Sequence, residues 1–248
     1  MSTLADALRS AKFHDVSPLI DARLPVFPGH PTVAVDAAAR THDRDGYFLQ
    51  LLSFGEHTGS HVDAPAHAVA SMGERTIDRY PPERFIAPYV KYDVSRHEPG
   101  PGDLVTRATL EEIEARDGLE LRAGDIAIIQ FGWDQYFRPE SDDAAARLWW
   151  IRNAPGLSAD ACDYLAECGV SAVGSDTATC DTAVIDGAIT SAVGHTRAFL
   201  PAEILIFEAL IGLDAAPARG IFVGLPLRIR GGSGSPIRAV LIEEGAPR

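Results

Sequence analysis

Apolar residues in this chain fall into short, dense runs separated by polar, glycine- and proline-rich punctuation. Runs rich in Val, Ile and Phe and bounded by Gly, Pro or Asp occur at Phe13–Ser17, Leu49–Phe54, Tyr89–Val94, Asp125–Phe131, Val170–Gly174, Ile204–Phe207, Gly220–Leu225 and Ile237–Ile242, and each predicts a strand. Between some of them the spacing turns helical. Thr109-Leu110-Glu111-Glu112 has the form of a capping box and predicts a helix that stops at Gly118. Ser158 is placed to cap a helix over Ala159–Cys168, with Gly169 just past its end, and Ala144–Ile151 is a shorter helical candidate. Helix followed by strand recurs at Leu110–Phe131 and at Ala159–Gly174, which argues for an α/β fold. The first ninety residues and the last forty read as more purely β. The expectation is a mixed sheet with helices packed on it.

At 248 residues the chain could form one large domain or two small ones. No repeat divides it, and the Pro/Gly-rich stretches His97–Gly102 and Arg230–Pro236 are short enough to be loops, so a single domain over residues 1–248 is expected. The net charge of −13 argues against nucleic acid or an anionic membrane as partner. No run approaches the ~20 apolar residues of a membrane span, and the N-terminal MSTLADALRSAKFHD lacks a basic region followed by an apolar one. A cytoplasmic location follows as an expectation. Cys162, Cys168 and Cys180 are odd in number and form no CxxC pair, which predicts reduced thiols.

The chemistry concentrates in His57-Thr58-Gly59-Ser60-His61-Val62-Asp63-Ala64-Pro65-Ala66-His67. Three of the chain's 8 histidines stand here with one aspartate. Neutral imidazole and carboxylate are the usual ligands of zinc and of harder divalent ions such as manganese. On a helix, Asp63 and His67 would point away from His57 and His61. On a straight strand all four share one face but spread over roughly 33 Å at about 3.3 Å per residue. Convergence therefore needs a curled chain, with Gly59 and Pro65 to bend and stiffen it; a strand ending near His57 and then a tight loop is the expected form. Farther on, His195 is the one histidine after His97, and Glu208 closes the apolar run Ile204-Leu205-Ile206-Phe207. A carboxylate at the end of a buried strand is costly unless it is paired or bound to metal.

The segment His57–His67 resembles the HxGTHxDxPxH motif of the metal-dependent cyclase/hydrolase family that includes bacterial kynurenine formamidase and isatin hydrolase. Val16-Ser17-Pro18 with Pro25-Val26-Phe27-Pro28-Gly29, Val173-Gly174-Ser175-Asp176-Thr177, His195 with Ile206-Phe207-Glu208-Ala209-Leu210, and Gly232-Ser233-Gly234-Ser235-Pro236-Ile237-Arg238 resemble further family segments in the same order. The resemblance implies a first metal on His57, His61 and Asp63. It implies a second on His67 and Glu208 with Asp63 shared, and His195 as general acid/base. It further implies a swivelling β/β/α-type fold with a small β-barrel-like core, a homodimer or homotetramer, and a small-molecule substrate. Ser60 and His30 depart from the usual family residues, threonine and aspartate, and His195 to Glu208 is about one residue longer than is common.

Together these readings point to hydrolysis of an amide, lactam or formamide assisted by one or two Zn²⁺ or Mn²⁺ ions, with His195 carrying the proton a leaving nitrogen needs. Phe27, Phe54 and Trp133, with Tyr136 and Phe137, are candidate walls for a planar aromatic substrate, and Trp149-Trp150 a candidate subunit contact. A cyclase or dehydratase that uses the metal without hydrolysing, and a non-catalytic metal-binding protein, are the rival classes. Serine-nucleophile chemistry is disfavoured, since no G-x-S-x-G motif is present.

Overall fold

Strands flanked on both sides by other strands and covered on both faces must be apolar throughout, and the central runs of this chain meet that demand. The computed structural model describes residues 3–243. Nine strands form one mixed sheet: β1 (Lys12–Asp15), β2 (His61–Asp63), β3 (Ile86–Asp93), β4 (Ile126–Gln130), β5 (Ala172–Ser175), β6 (Leu205–Glu208), β7 (Arg219–Val223), β8 (Gly234–Pro236) and β9 (Val240–Glu243), in the order β1-β9-β7-β3-β4-β5-β6-β2-β8. The middle four, β3-β4-β5-β6, run parallel, and every residue of β4, β5 and β6 is buried. Helices Arg107–Asp117 and Ala159–Glu167 lie in the connections between parallel neighbours, as crossovers require.

Alternation along these strands separates two cores. Val90, Tyr92, Ala127, Ile129, Val173 and Ile206 point to the helices and pack with Leu110, Ile113, Trp150 and Leu165. Their neighbours Tyr89, Ile126, Ile128, Ala172, Leu205 and Phe207 point to the other face, where they meet Val62, Phe222 and Leu241 from the antiparallel strands. That second core draws side chains from nearly every strand because the sheet curls upon itself. The chain itself shows this: β8 sits at one edge, yet β9 begins four residues after Pro236 at the other end of the sheet. Four Cα steps span at most about 15 Å. The residues between them fasten the seam: Ile237 N–H donates to Ser60 O (2.9 Å) just before β2, and Val16 N–H donates to Ala239 O (3.0 Å) just after β1. The β-barrel-like core expected from the resemblance thus takes the form of a curled sheet whose two edges are stitched by residues 237–239.

Several expected elements are adjusted. The helix expected to be capped by Thr109 begins at Arg107: Thr106 accepts the N–H of Thr109 (3.3 Å), and Gly118 ends it in the left-handed region as predicted. Leu49–Ser53 forms a strand, but it pairs with Ala34–Arg40 in a separate hairpin. Ile237–Ile242 is one run in the sequence and two functions in the fold, the seam followed by β9. A second hairpin, Thr182–Ile185 with Ala188–Ala192, was not foreseen. No helix among the described residues is long and apolar enough to cross a membrane.

Candidate metal centre and its cavity

The expectation of a strand ending near His57 is corrected at this site. The preceding strand ends at Ser53, His57 lies in the loop beyond it, and the strand is β2 itself, which carries His61 and Asp63. β2 is short but fully buried, because its backbone is paired on both sides, with β6 and with β8. The register then builds the site. His61 stands directly opposite Glu208 across the antiparallel pair, and Asp63, two residues on, shares its face. Pro65 opens a 3-10 turn that ends on His67. His195 arrives on a π-helical turn, Gly194–Ala198; a Cβ at Gly194 would lie 2.4 Å from the Phe199 ring and 2.8 Å from Asp181 Cγ, so glycine is what lets this turn approach.

The other five metal and proton-transfer residues named from the sequence converge on Asp63. His57 Nδ1 lies 2.6 Å from its Oδ1, His61 Nε2 3.5 Å, His67 Nε2 4.0 Å from Oδ2, and His195 Nε2 3.2 Å. Glu208 Oε2 is 3.1 Å from His61 Nε2, and Glu208 Oε1 3.5 Å from His195 Nε2. Two groups have ligand atoms close enough to hold one ion each: His57, Asp63 and His67, and His61, Asp63 and Glu208. Asp63 is shared as the resemblance implied, but His61 and His67 exchange places relative to the expected pairing. His61 faces Glu208 across the strand pair, whereas His67 approaches from the turn side beside His57, with ring centroids 4.0 Å apart.

The outer nitrogens of three imidazoles are each committed to the protein. His61 Nδ1–H donates to Gly59 O (2.8 Å), and His195 Nδ1–H donates to Asp181. Ser233 donates its hydroxyl to Glu56 (2.8 Å) and so accepts from His57 Nε2–H (2.9 Å). These partners fix the tautomers and turn a bare nitrogen of each ring inward, as histidines that bind metal require. Asp63, Asp181 and Glu208 are buried side by side, an arrangement that needs protons or a cation to offset it. The donor set fits a divalent ion.

The electrostatics express that need. Burial would raise the Asp63 carboxyl, but His57, His195 and His61 hold it well below the carboxylate range. Burial would lower His61, yet the bond to Glu208 and the charge of Asp63 push it up to about 9. Burial dominates at His67 and lowers it to about 4. Burial and Asp63 raise Glu208. At His195 the effect of burial is overcome by Asp181, which lifts the imidazole well above its ordinary value.

Asp181 is the residue that sequence reasoning missed. Its carboxylate takes His195 Nδ1–H on one oxygen and His195 backbone N–H (3.0 Å) on the other. Nothing local marks it, since its partner is fourteen positions away on another element.

The cluster lies at the base of a cavity whose empty volume, mouth included, is about 860 Å³. Phe27 lines it as expected, with Phe137, Trp150, Ile151 and Ile189. Phe54 and Trp133 do not. Trp133 is 1% exposed and gives its Nε1–H to Trp150 O and Asn153 O, which makes it a core residue, and Phe54, just past the separate hairpin, is not among the lining residues.

Comparison with known proteins agrees with this geometry. The kynurenine formamidase of Salinibacter ruber is 30% identical over 234 residues, covering 94% of this chain and 98% of that protein. The isatin hydrolase of Roseibium aggregatum is 30% identical over 210 residues, covering 81% and 78%. Among solved structures, isatin hydrolase A from Ralstonia solanacearum superposes with a TM-score of 0.81 at 27% identity, over 98% of both chains. Residues 14–182 match the profile of the Cyclase family, and by that match the chain belongs to the Cyclase family.

Proposed function

We propose that this protein is a metal-dependent hydrolase that opens the carbon–nitrogen bond of an amide, lactam or formamide in a small aromatic substrate. The observation that carries the reading is the line from Asp181 through His195 to Asp63 and Glu208 at the base of an aromatic-walled cavity. The named activities of the formamidase and isatin hydrolase relatives, both cleavages of an acyl–nitrogen bond, support it.

His57, His61, Asp63, His67 and Glu208 would hold the ion or ions, with zinc or manganese the suited elements and one or two per chain. When bound, such an ion supplies Lewis acidity, polarising a carbonyl oxygen and making water a better nucleophile near neutral pH. The chain's own residues manage the proton. His195 Nε2 faces the base of the cavity while Asp181 holds Nδ1–H, so Nε2 takes a proton from the attacking water and returns it to the departing nitrogen. Carbon–oxygen bond formation and carbon–nitrogen cleavage then leave a neutral amine and a carboxylic acid, which releases the second proton of the water to solvent as it becomes a carboxylate. Phe27, Phe137 and Trp150 hold the ring and exclude bulk water.

Turnover of isatin and of N-formylkynurenine by metal-loaded protein, with elemental analysis of ions per chain, tests the reading. Solvent oxygen-18 must appear in the product; its absence would transfer the protein to the cyclase or dehydratase class. A homodimer or homotetramer belongs to the same proposal. It is supported by the hairpin around Tyr47, Phe48, Leu49, Leu51 and Leu52, all of them exposed, and light scattering on the purified protein tests it. A cytoplasmic location is supported by three free cysteines and is tested by cell fractionation.

A further inference from the structure

Above the imidazole cluster neither lysine nor arginine, among the described residues, lines the cavity, although arginines flank its wall in sequence. Those arginines bond elsewhere: Arg23 to Glu140 O (2.6 Å) and Asp142 (3.0 Å), Arg138 to Phe137 O (3.2 Å), Arg152 to Asp186 O (3.2 Å), and Arg197 to Asp163 (2.9 Å). A buried carboxylate or sulfonate is ordinarily met by such a fork. The one carboxylate on the lining, Glu208, is held by His61 and by the Cys180 N–H (3.1 Å), and leaves nothing for a substrate ammonium. A charged substituent would therefore give up its hydration without meeting a counter-charge on the wall.

Away from the cluster, the polar side chains of the wall are few. Thr179 gives its hydroxyl to Thr182 O (3.0 Å). His30 is different. Its ring is half-buried between Phe27 (centroids 5.7 Å apart) and His57 (6.0 Å), it lines the cavity, and neither of its nitrogens bonds to the protein among the described residues. The turn that presents it is fixed by its own backbone N–H donating to Phe27 O (2.9 Å), so ring and aromatic wall are carried as a unit. An imidazole offers one donor and one acceptor to an uncharged partner.

We propose that the cavity selects an uncharged, ring-bearing amide, and that His30 is the specificity-determining residue that hydrogen-bonds a second polar atom of that substrate, such as a ketone carbonyl beside the scissile group. The proposal rests on the hydrolase reading and narrows it: formamides that carry an amino-acid zwitterion are poor substrates, and fused lactams or plain aryl formamides are good ones.

Ligand pairs that share the scissile group and differ by one charge-bearing substituent test this, with binding and turnover read separately on metal-loaded protein. Isatin is compared with isatin-5-sulfonate, and 2-formamidoacetophenone with N-formylkynurenine. The uncharged member of each pair is expected to bind at least tenfold more tightly by titration calorimetry and, where turned over, to show a correspondingly higher kcat/KM. Equal or tighter binding of the charged members overturns the selectivity even if every compound is hydrolysed, and so does failure of both uncharged compounds to bind. The expected binding preference without turnover would leave the selectivity standing and remove the hydrolase reading. His30→Phe should raise KM for the ketone-bearing substrates roughly threefold to tenfold while kcat changes less, and His30→Gln should recover part of that loss. An unchanged KM in His30→Phe removes the role assigned to His30.

Discussion

At the level of single residues, the proposed mechanism divides the site into groups that would hold a metal ion and groups that would move a proton. His61 belongs to the first set, since its bare Nε2 faces both Asp63 and Glu208. His61→Ala should lose metal and activity together, whereas His195→Ala should keep its metal by elemental analysis and lose roughly 10²–10⁴ in rate. Full activity in the His195 variant would remove its assignment. Asp181 acts through His195. Because Asp181 raises the imidazole, Asp181→Asn should let His195 stay unprotonated to lower pH, shifting the acidic limb of the pH–rate profile downward. The rate should also fall by about tenfold to a hundredfold, as for other partners that orient a site histidine. An unshifted limb would mean that the two do not titrate together. His57, His61, Asp63 and His67 were legible because they stand within eleven residues. Asp181 was not, because a carboxylate that orients an imidazole has no required distance from it in sequence.

Elements place these residues, and their ends carry measurable energy. Thr106, not Thr109, caps the helix Arg107–Asp117. Thr106→Ala should destabilise by about 0.5–2 kcal/mol and Thr109→Ala by less, read from chemical denaturation. The sequence offered two threonines three residues apart, and only the backbone conformation, extended at Thr106, decided between them. Asp176 follows β5 and accepts the N–H of Phe131 and of Trp133 (both 2.8 Å), which pins the chain leaving β4. Burial, with the charge of Asp134 added, pushes its carboxyl up to about 7. A group that binds its proton more tightly when folded makes the folded state less favourable as pH rises from about 4 to about 7. Asp176→Asn should abolish that component of the pH dependence of Tm. It should also lower Tm by several degrees throughout, since an amide oxygen replaces only one of two acceptors. Parallel melts from pH 4 to 8 check both, and identical pH slopes in the two proteins would contradict the assignment. The three-residue strands β2 and β8 are invisible to pattern reading, for they are too short to show a period; β2 is held by neighbours on both sides and β8, at the edge, by β2 alone.

For the molecule as a whole, closure of the curled sheet depends on its last strand. β9 pairs with β1 on one side and β7 on the other, and residues 237–239 tie it to the edge that bears the site. Removing residues 240–248 opens both pairings and uncovers Phe222 and the core around it. Such a truncation should lose near-UV circular dichroism and cooperative melting. A truncated protein that melts cooperatively near the full-length Tm would show that closure does not depend on β9.

The α/β class, a mixed sheet and the clustering of His57, His61, Asp63 and His67 were legible in the chain, because local composition, short-range period and close spacing carry them; His195 and Glu208 stood out through the family resemblance. Three-dimensional packing settled that His61 meets Glu208 while His67 meets His57, that Asp181 bonds His195, and that Trp133 is core while Phe27, Phe137 and Trp150 form the wall. Those outcomes depend on strand register and on which long-range neighbours fill each face. Such pairings are fixed by the packing of the whole sheet, and no window of the chain contains them.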